Sequence, residues 1–225
     1  MNEVIRQLAA RKSVRAFEDR DIPGEVRAAI LEAAAQAPTA GNQQLYTILD
    51  VTDPQLKARL AETCDHQPFI ATAPMVLIFL ADVCKWLDAY REAGCEPRAP
   101  GAGDVMLAAS DAAIAAQNAV TAAWSLGVGS CYIGDVMERR EEHREMLNLP
   151  PHVFPAAMLV LGYPTEQQAR RPKPERFNMA DIVCENVYRR KDGPALRRMF
   201  TGRCGARGYD AWMDVFCRRK YDSDF

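Results

Sequence analysis

Val4, Ile5 and Leu8 recur at helical spacing among polar neighbours, so the chain opens on a short helix that delivers it to Arg11. "DIPGEVRAAILEAAAQAP" predicts a second helix. Val26, Ile30 and Ala33 form its apolar stripe, Pro23 suits its first turn, and Pro38 stops it. "YTILDV" alternates like a strand, and "DPQLKARLAETC" reads as a helix with Asp53 as N-cap and Pro54 in its first turn. The run from Met75 to Ala81 is apolar throughout, as in a strand buried on both faces. "CKWLDAYREAGCEPRAPGAG" is polar and interrupted by Gly and Pro, and reads as an ordered insertion or lid carrying Trp86 and Tyr90. An Ala-rich periodic segment follows and stops at Gly127; it is expected at the centre of the molecule and at a subunit interface. "GVGSCYIGDV" predicts a short strand, "ERREEHREMLNL" an exposed helix, and "AAMLVLGYP" a last core strand. From about Pro172 the regular patterning weakens.

Strands separated by helices indicate an α/β or α+β arrangement of helices on a sheet, with one core. The chain has 225 residues, 48% of them hydrophobic, which is enough for that core. The net charge of −2 supplies no general attraction for nucleic acid or an anionic membrane. No apolar run reaches the ~20 residues of a membrane span, and the N-terminus lacks the apolar region of a secretory signal. The seven cysteines form no C-x-x-C pair and are odd in number, which fits reduced thiols in a cytoplasmic protein. Between Arg189 and Lys220 there are ten Lys/Arg against three Asp/Glu; a solvated or partner-wrapping tail accounts for this better than nucleic-acid binding.

Three segments stand out chemically. "RKSVRAF" gathers Arg11, Lys12, Ser13 and Arg15. In extended form, residues 11, 13 and 15 point to one side and present donors suited to a phosphate. Taken alone, the segment fits a solvated helix C-terminus better. "APTAGNQQLY", residues 37–46, is a compact turn with Asn42, Gln43 and Gln44 side by side, amides able to read the edge of a flat heterocycle or to sit on a surface. "GYPTEQQARRPKPERF" sets Arg170, Arg171, Lys173 and Arg176 among three prolines, a stiff basic stretch or a plain linker. His66, His143 and His152 have no metal-ligand spacing, and no metal site is expected. Neither G-x-G-x-x-G after a strand nor a P-loop is present.

These segments, in this order, with "AAWSLGVGSCYIGD" and "LGYP", resemble the nitroreductase family of FMN-dependent oxidoreductases from about Arg6 to Val183. The resemblance implies an α+β fold, a three-layer α/β/α sandwich with a central mixed sheet, in a domain-wrapped homodimer. It divides the chain into a flavin-binding domain at 1–183 and an extension at 184–225 that packs on the domain or its partner subunit. It implies FMN as cofactor and NAD(P)H as electron donor, with nitroaromatic, quinone or related acceptors reduced in a ping-pong cycle. The family also includes reductive dehalogenases, and a flavin sensor or store without turnover would share the binding residues. By carry-over, Arg11, Lys12, Ser13 and Arg15 lie at the FMN phosphate and ribityl chain. Pro38, Thr39, Ala40 and Asn42 approach the ring, typically from the second subunit, and Tyr132, Ile133 and Gly134 lie beside it. Gln67 reaches its pyrimidine edge. Lys173 and Arg176 return to the phosphate, with Arg171 as rival. Trp86 and Tyr90 line the acceptor pocket, and no side chain is assigned a catalytic role. Thr39 stands where Ser is usual, and "QLY" replaces "QPW". The terminal "SDF" resembles a point at which related chains continue, so the C-terminus is read as clipped.

Overall fold

A computed structural model describes residues 2–221; the terminal "SDF", and with it the expectation of clipping, lies outside the described residues. The chain divides into two compact units between Arg171 and Pro172.

The first unit is built on a four-stranded sheet in the order β1-β2-β4-β3: β1 (Tyr46–Asp50), β2 (Met75–Asp82), β3 (Gly129–Ile133) and β4 (Val153–Gly162). All three neighbouring pairs are antiparallel, where the resemblance implies a mixed sheet. The helices between β2 and β3 do return the chain in the same direction, as a crossover should. β4 then inserts between those two strands, so each meets an antiparallel neighbour. The parallel pairing among the described residues is an isolated bridge between Ser13 and Ser130.

Alternation in the strands sorts the core into two layers. Met75, Leu77, Phe79, Leu159 and Leu161 face α2 (Gly24–Ala35) and α5 (Ala102–Ser125). Val76, Ile78, Met158, Val160, Cys131 and Ile133 face α3 (Pro54–Thr63) and the segments around it. Every residue of β2 is buried, as its continuous apolar run requires. In α5, Ala108, Ala112, Ala115, Ala116, Ala119 and Ala123 are buried. Their small side chains let α2 approach the helix closely, and Asn118 Nδ2 donates to Ala33 O across that contact at 3.1 Å. Gly127, at φ 78°, turns the chain out of α5.

The remaining helices of this unit are α1 (Glu3–Ala10), α4 (Cys84–Glu92), α6 (Arg140–Met146) and α7 (Glu166–Arg170). α4 is the helical part of the expected insertion. α6 is less exposed than its charged sequence suggests, because His143 is fully buried beneath it. Its Nε2 lies 2.8 Å from Thr63 Oγ1 and its Nδ1 2.7 Å from Val136 O.

The second unit is more regular than its patterning suggests, with α8 (Met179–Ile182), α9 (Gly193–Cys204) and α10 (Tyr209–Tyr221). Asp192 caps α9, accepting from Ala195 N at 2.8 Å. Phe177, Phe200, Tyr209, Trp212 and Phe216 form a run of aromatic contacts, with Trp212 stacked on Phe216 at 4.6 Å. The Arg203 guanidinium lies 3.5 Å from the Phe177 ring centroid.

Candidate functional site

The basic segment leaves α1 at Arg11 and runs along the edge of β3. Val14 N donates to Ser130 O at 3.0 Å, Thr165 N to Ala16 O at 3.2 Å, and Glu18 N to Tyr163 O at 2.8 Å. This threads residues 13–18 between β3 and the end of β4. Gly129 and Gly162 face each other across the β3–β4 ladder and make room for it. A Cβ on Gly129 would lie 2.7 Å from Val14 Cγ2, and one on Gly162 would lie 2.7 Å from the Phe17 ring.

Val14 is fully buried, so alternation sends its neighbours Ser13 and Arg15 the other way, and Arg15 is exposed. The Arg11 guanidinium carbon lies 5.8 Å from the Tyr132 ring centroid. Arg11, Ser13 and Arg15 converge electrically on Cys131: burial pushes its thiol up, while Arg15, Ser13 and Arg11 oppose that shift. Burial also pushes the Tyr132 phenol up to about 12, against the pull of Arg11, so the phenol stays protonated. Ser130, on the same strand face as Tyr132, keeps a buried Oγ without a hydrogen-bond partner among the described residues. β3 is the edge of the sheet, and beyond the Ser13–Ser130 bridge no further strand pairs with it among the described residues.

Lys12 points elsewhere. Its Nζ donates to Ala169 O at 2.6 Å and to Arg171 O, clasping the C-terminus of α7, where a cation complements the helix dipole.

Gln67 is brought to the far end of β3. Its Nε2 donates to Cys64 O at 2.8 Å and to Asp135 Oδ2 at 2.9 Å, next to Gly134. Both amide hydrogens are thereby committed, leaving Oε1 as the atom open to a ligand donor. Asp135 also adds to the effect of burial on Cys64, whose thiol is pushed up to about 12. Iodoacetamide at pH 8 is therefore expected to label exposed Cys95, Cys184 and Cys217 in the native protein and to spare Cys64. Peptide mass spectrometry reads this directly; labelling of Cys64 as fast as Cys95 would contradict it.

Pro38, Thr39, Ala40 and Asn42 form a second cluster. Ala40–Asn42 makes a single 3-10 turn, with Gly41 at φ 55°. The turn is anchored on α5 through Asp111, which no motif or periodicity in the sequence singles out. Trp86 Nε1 donates to Gln43 O at 2.7 Å, and the Trp86 and Tyr90 rings are 5.6 Å apart. Both line a cavity of about 290 Å³ that also takes in Gln43, Leu45 and Leu107. The two clusters attach to different levels of α5. The turn joins it at Asp111, while the Tyr132 hydroxyl donates to Gln117 Oε1, at 3.4 Å, six residues further along or about 9 Å of helix rise. Lys173 and Arg176 belong to the second unit. Among the described residues, no group of three His, Cys, Asp or Glu side chains is gathered to hold a metal ion.

Comparison with known proteins agrees with this layout. The nitroreductase family model matches residues 8–163, from the end of α1 to the residue after β4. The chain belongs to the nitroreductase family. It is 36% identical over 176 residues to the FMN reductase [NAD(P)H] of Bacillus subtilis strain 168, covering 77% of this chain and 70% of that one. Among solved structures, nitroreductase A of Vibrio parahaemolyticus superposes with a TM-score of 0.88 at 26% identity, over 100% of this chain and 93% of that one. The NADPH:FMN oxidoreductase of Vibrio harveyi in complex with NAD+ gives 0.86 at 25% identity, over 99% and 94%. The family match takes in the basic segment, the amide-rich turn and β3 together.

Proposed function

We propose that this nitroreductase-family chain is an FMN-dependent NAD(P)H oxidoreductase of the cytoplasm, acting on nitroaromatic, quinone or related acceptors. The observation that carries the reading is the docking of the Arg11–Arg15 segment on the β3 edge: the Ser13–Ser130 bridge sets it beside the strand, and the Arg11 guanidinium lies 5.8 Å from the Tyr132 ring centroid. This donor set fits a phosphorylated flavin: two guanidiniums and a hydroxyl for the phosphate and ribityl chain, and a sheet edge beside them for the ring. The partnerless Ser130 hydroxyl lies on the same face of that strand.

FMN, when held by Arg11, Ser13 and Arg15, would supply the redox chemistry that couples NAD(P)H oxidation to reduction of the acceptor in a ping-pong cycle. The chain supplies binding, orientation and charge. Gln67 offers Oε1, the acceptor complementary to the imide N–H of an isoalloxazine. Pro38, Thr39, Ala40 and Asn42 bound the ring from a second copy of the chain. Support for that homodimer comes from α1, which exposes Val4, Ile5 and Leu8, and from α5, which exposes Val105, Met106 and Ile114. Trp86 and Tyr90 shape the acceptor side. Tyr132, Ile133 and Gly134 flank the ring, and Lys173 and Arg176 add positive charge for the phosphate by the chemistry of their side chains. Lys12 acts indirectly, by holding α7.

The test is anaerobic reduction of the flavin-loaded protein. NADPH or NADH is expected to bleach the visible flavin band, and a nitroaromatic or quinone to restore it. A band that neither nucleotide bleaches would contradict turnover.

A further inference from the structure

We propose that Asp111 is the positioning residue of the site: it sets the Thr39–Leu45 turn for the cofactor and engages the Thr39 hydroxyl as hydrogen-bond donor for that purpose. The proposal rests on the FMN reading above.

Asp111 lies on α5 and is 2% exposed. Its carboxylate accepts three hydrogen bonds from the turn. Ala40 N donates to Oδ1 at 3.1 Å, Leu45 N donates to Oδ2 at 3.2 Å, and the Thr39 hydroxyl also donates to Oδ2. Thr39 Oγ1 in turn accepts from Gln44 N at 2.8 Å. One buried side chain thus holds both ends of the turn.

The turn needs such a clamp. Asn42 and Gln44 sit at φ 56° and 49°, a region that non-glycine residues enter only when the surroundings hold them there. A carboxylate meets the requirement because it is all acceptor. An asparagine of the same shape cannot. Whichever way its amide is turned, the NH2 group faces the N–H of Ala40 or of Leu45, and one peptide donor is left unpaired in a buried place.

The consequence for the ligand is specific. The single proton of the Thr39 hydroxyl is spent on Asp111, so Thr39 has no side-chain donor for FMN. It meets a ligand through its main chain or as an acceptor. A serine would serve equally, which explains why Thr is accepted where the family pattern has Ser.

The test compares Asp111→Asn, Thr39→Val, Thr39→Ser and the Asp111→Asn/Thr39→Val double variant. The readouts are FMN dissociation constants from flavin fluorescence and the visible circular dichroism of the bound flavin. Thr39→Ser is expected to bind FMN within about twofold of the parent. Thr39→Val should bind at least about threefold more weakly and Asp111→Asn at least about tenfold, both with an altered dichroism spectrum. The double variant should match Asp111→Asn within about twofold, because the two residues act as one unit. If Asp111→Asn does not fold, the Thr39→Val and Thr39→Ser pair decides: Thr39→Val binding like the parent with an unchanged spectrum overturns the proposal. Multiplication of the two single effects in the double variant also overturns it, since Thr39 would then contact FMN independently. A parent protein that binds no FMN refutes the functional reading, and this proposal with it. FMN binding that is intact in the parent and unchanged in Asp111→Asn overturns this proposal alone.

Discussion

Arg15→Ala is expected to weaken FMN binding by about 10- to 100-fold while leaving riboflavin binding within about twofold. A hydrogen bond to a charged group contributes about 1.5–3 kcal/mol, which is that range in affinity. Riboflavin lacks the phosphate, so it should not register the loss. The guanidinium is exposed, on the side of the segment opposite fully buried Val14, so its removal leaves no cavity. Stability should stay within about 0.5 kcal/mol of the parent. Lys12→Met is the informative control. Lys12 is adjacent to Ser13 and carries the same charge, yet it holds the carbonyls of Ala169 and Arg171. Its loss should lower stability by about 1 kcal/mol and change FMN affinity far less than Arg15→Ala. Calorimetric titration with both flavins separates the two variants. Equal losses for FMN and riboflavin in Arg15→Ala would show that the side chain does not address the phosphate.

Gly129→Ala should lower stability by about 2–3 kcal/mol and weaken FMN binding at the same time. The added methyl would lie 2.7 Å from Val14 Cγ2 and 2.8 Å from Val14 Cβ. Val is stiff at χ1 and cannot swing clear, so the strand or the basic segment must move. Moving the segment stretches the Val14–Ser130 hydrogen bond and displaces the side chains at 13 and 15 from the β3 edge. Gly24, in α2, is the comparison: a Cβ there meets nothing within 4 Å, and Gly24→Ala should be neutral or stabilise by up to about 1 kcal/mol. Denaturant melts and FMN titrations on the two variants check both. Gly129→Ala with parental stability would mean that the segment is not packed against β3 as described.

Much of this architecture was legible in the residues. The Met75–Ala81 run marked a strand buried on both faces, and Asp53–Pro54 marked the start of α3, where Asp53 accepts from Gln55 N. The extended spacing of residues 13 and 15 put them on the side of the segment opposite buried Val14. Three features were not legible, each for a physical reason. The antiparallel sheet depends on β4 inserting between β2 and β3, a choice made by long-range packing that no local pattern encodes. Lys12 and Arg15 look alike in sequence, and only the return of the chain at α7 separates their roles. Asp111 is one polar residue in an Ala-rich helix; its partners lie about 70 positions away, so no periodicity or motif points to them. The helices of the second unit were partly signalled, since Asp192 followed by Gly193 and Pro194 is a usable helix start.

The central claim, that Arg11, Ser13 and Arg15 gather beside β3 to hold a flavin mononucleotide, is tested most directly by titrating flavin-free protein with FMN and with riboflavin. Saturable quenching of flavin fluorescence at one FMN per chain, with riboflavin bound at least about tenfold more weakly, is the expected result. Absence of saturable FMN binding, or equal affinity for the two flavins, would contradict it.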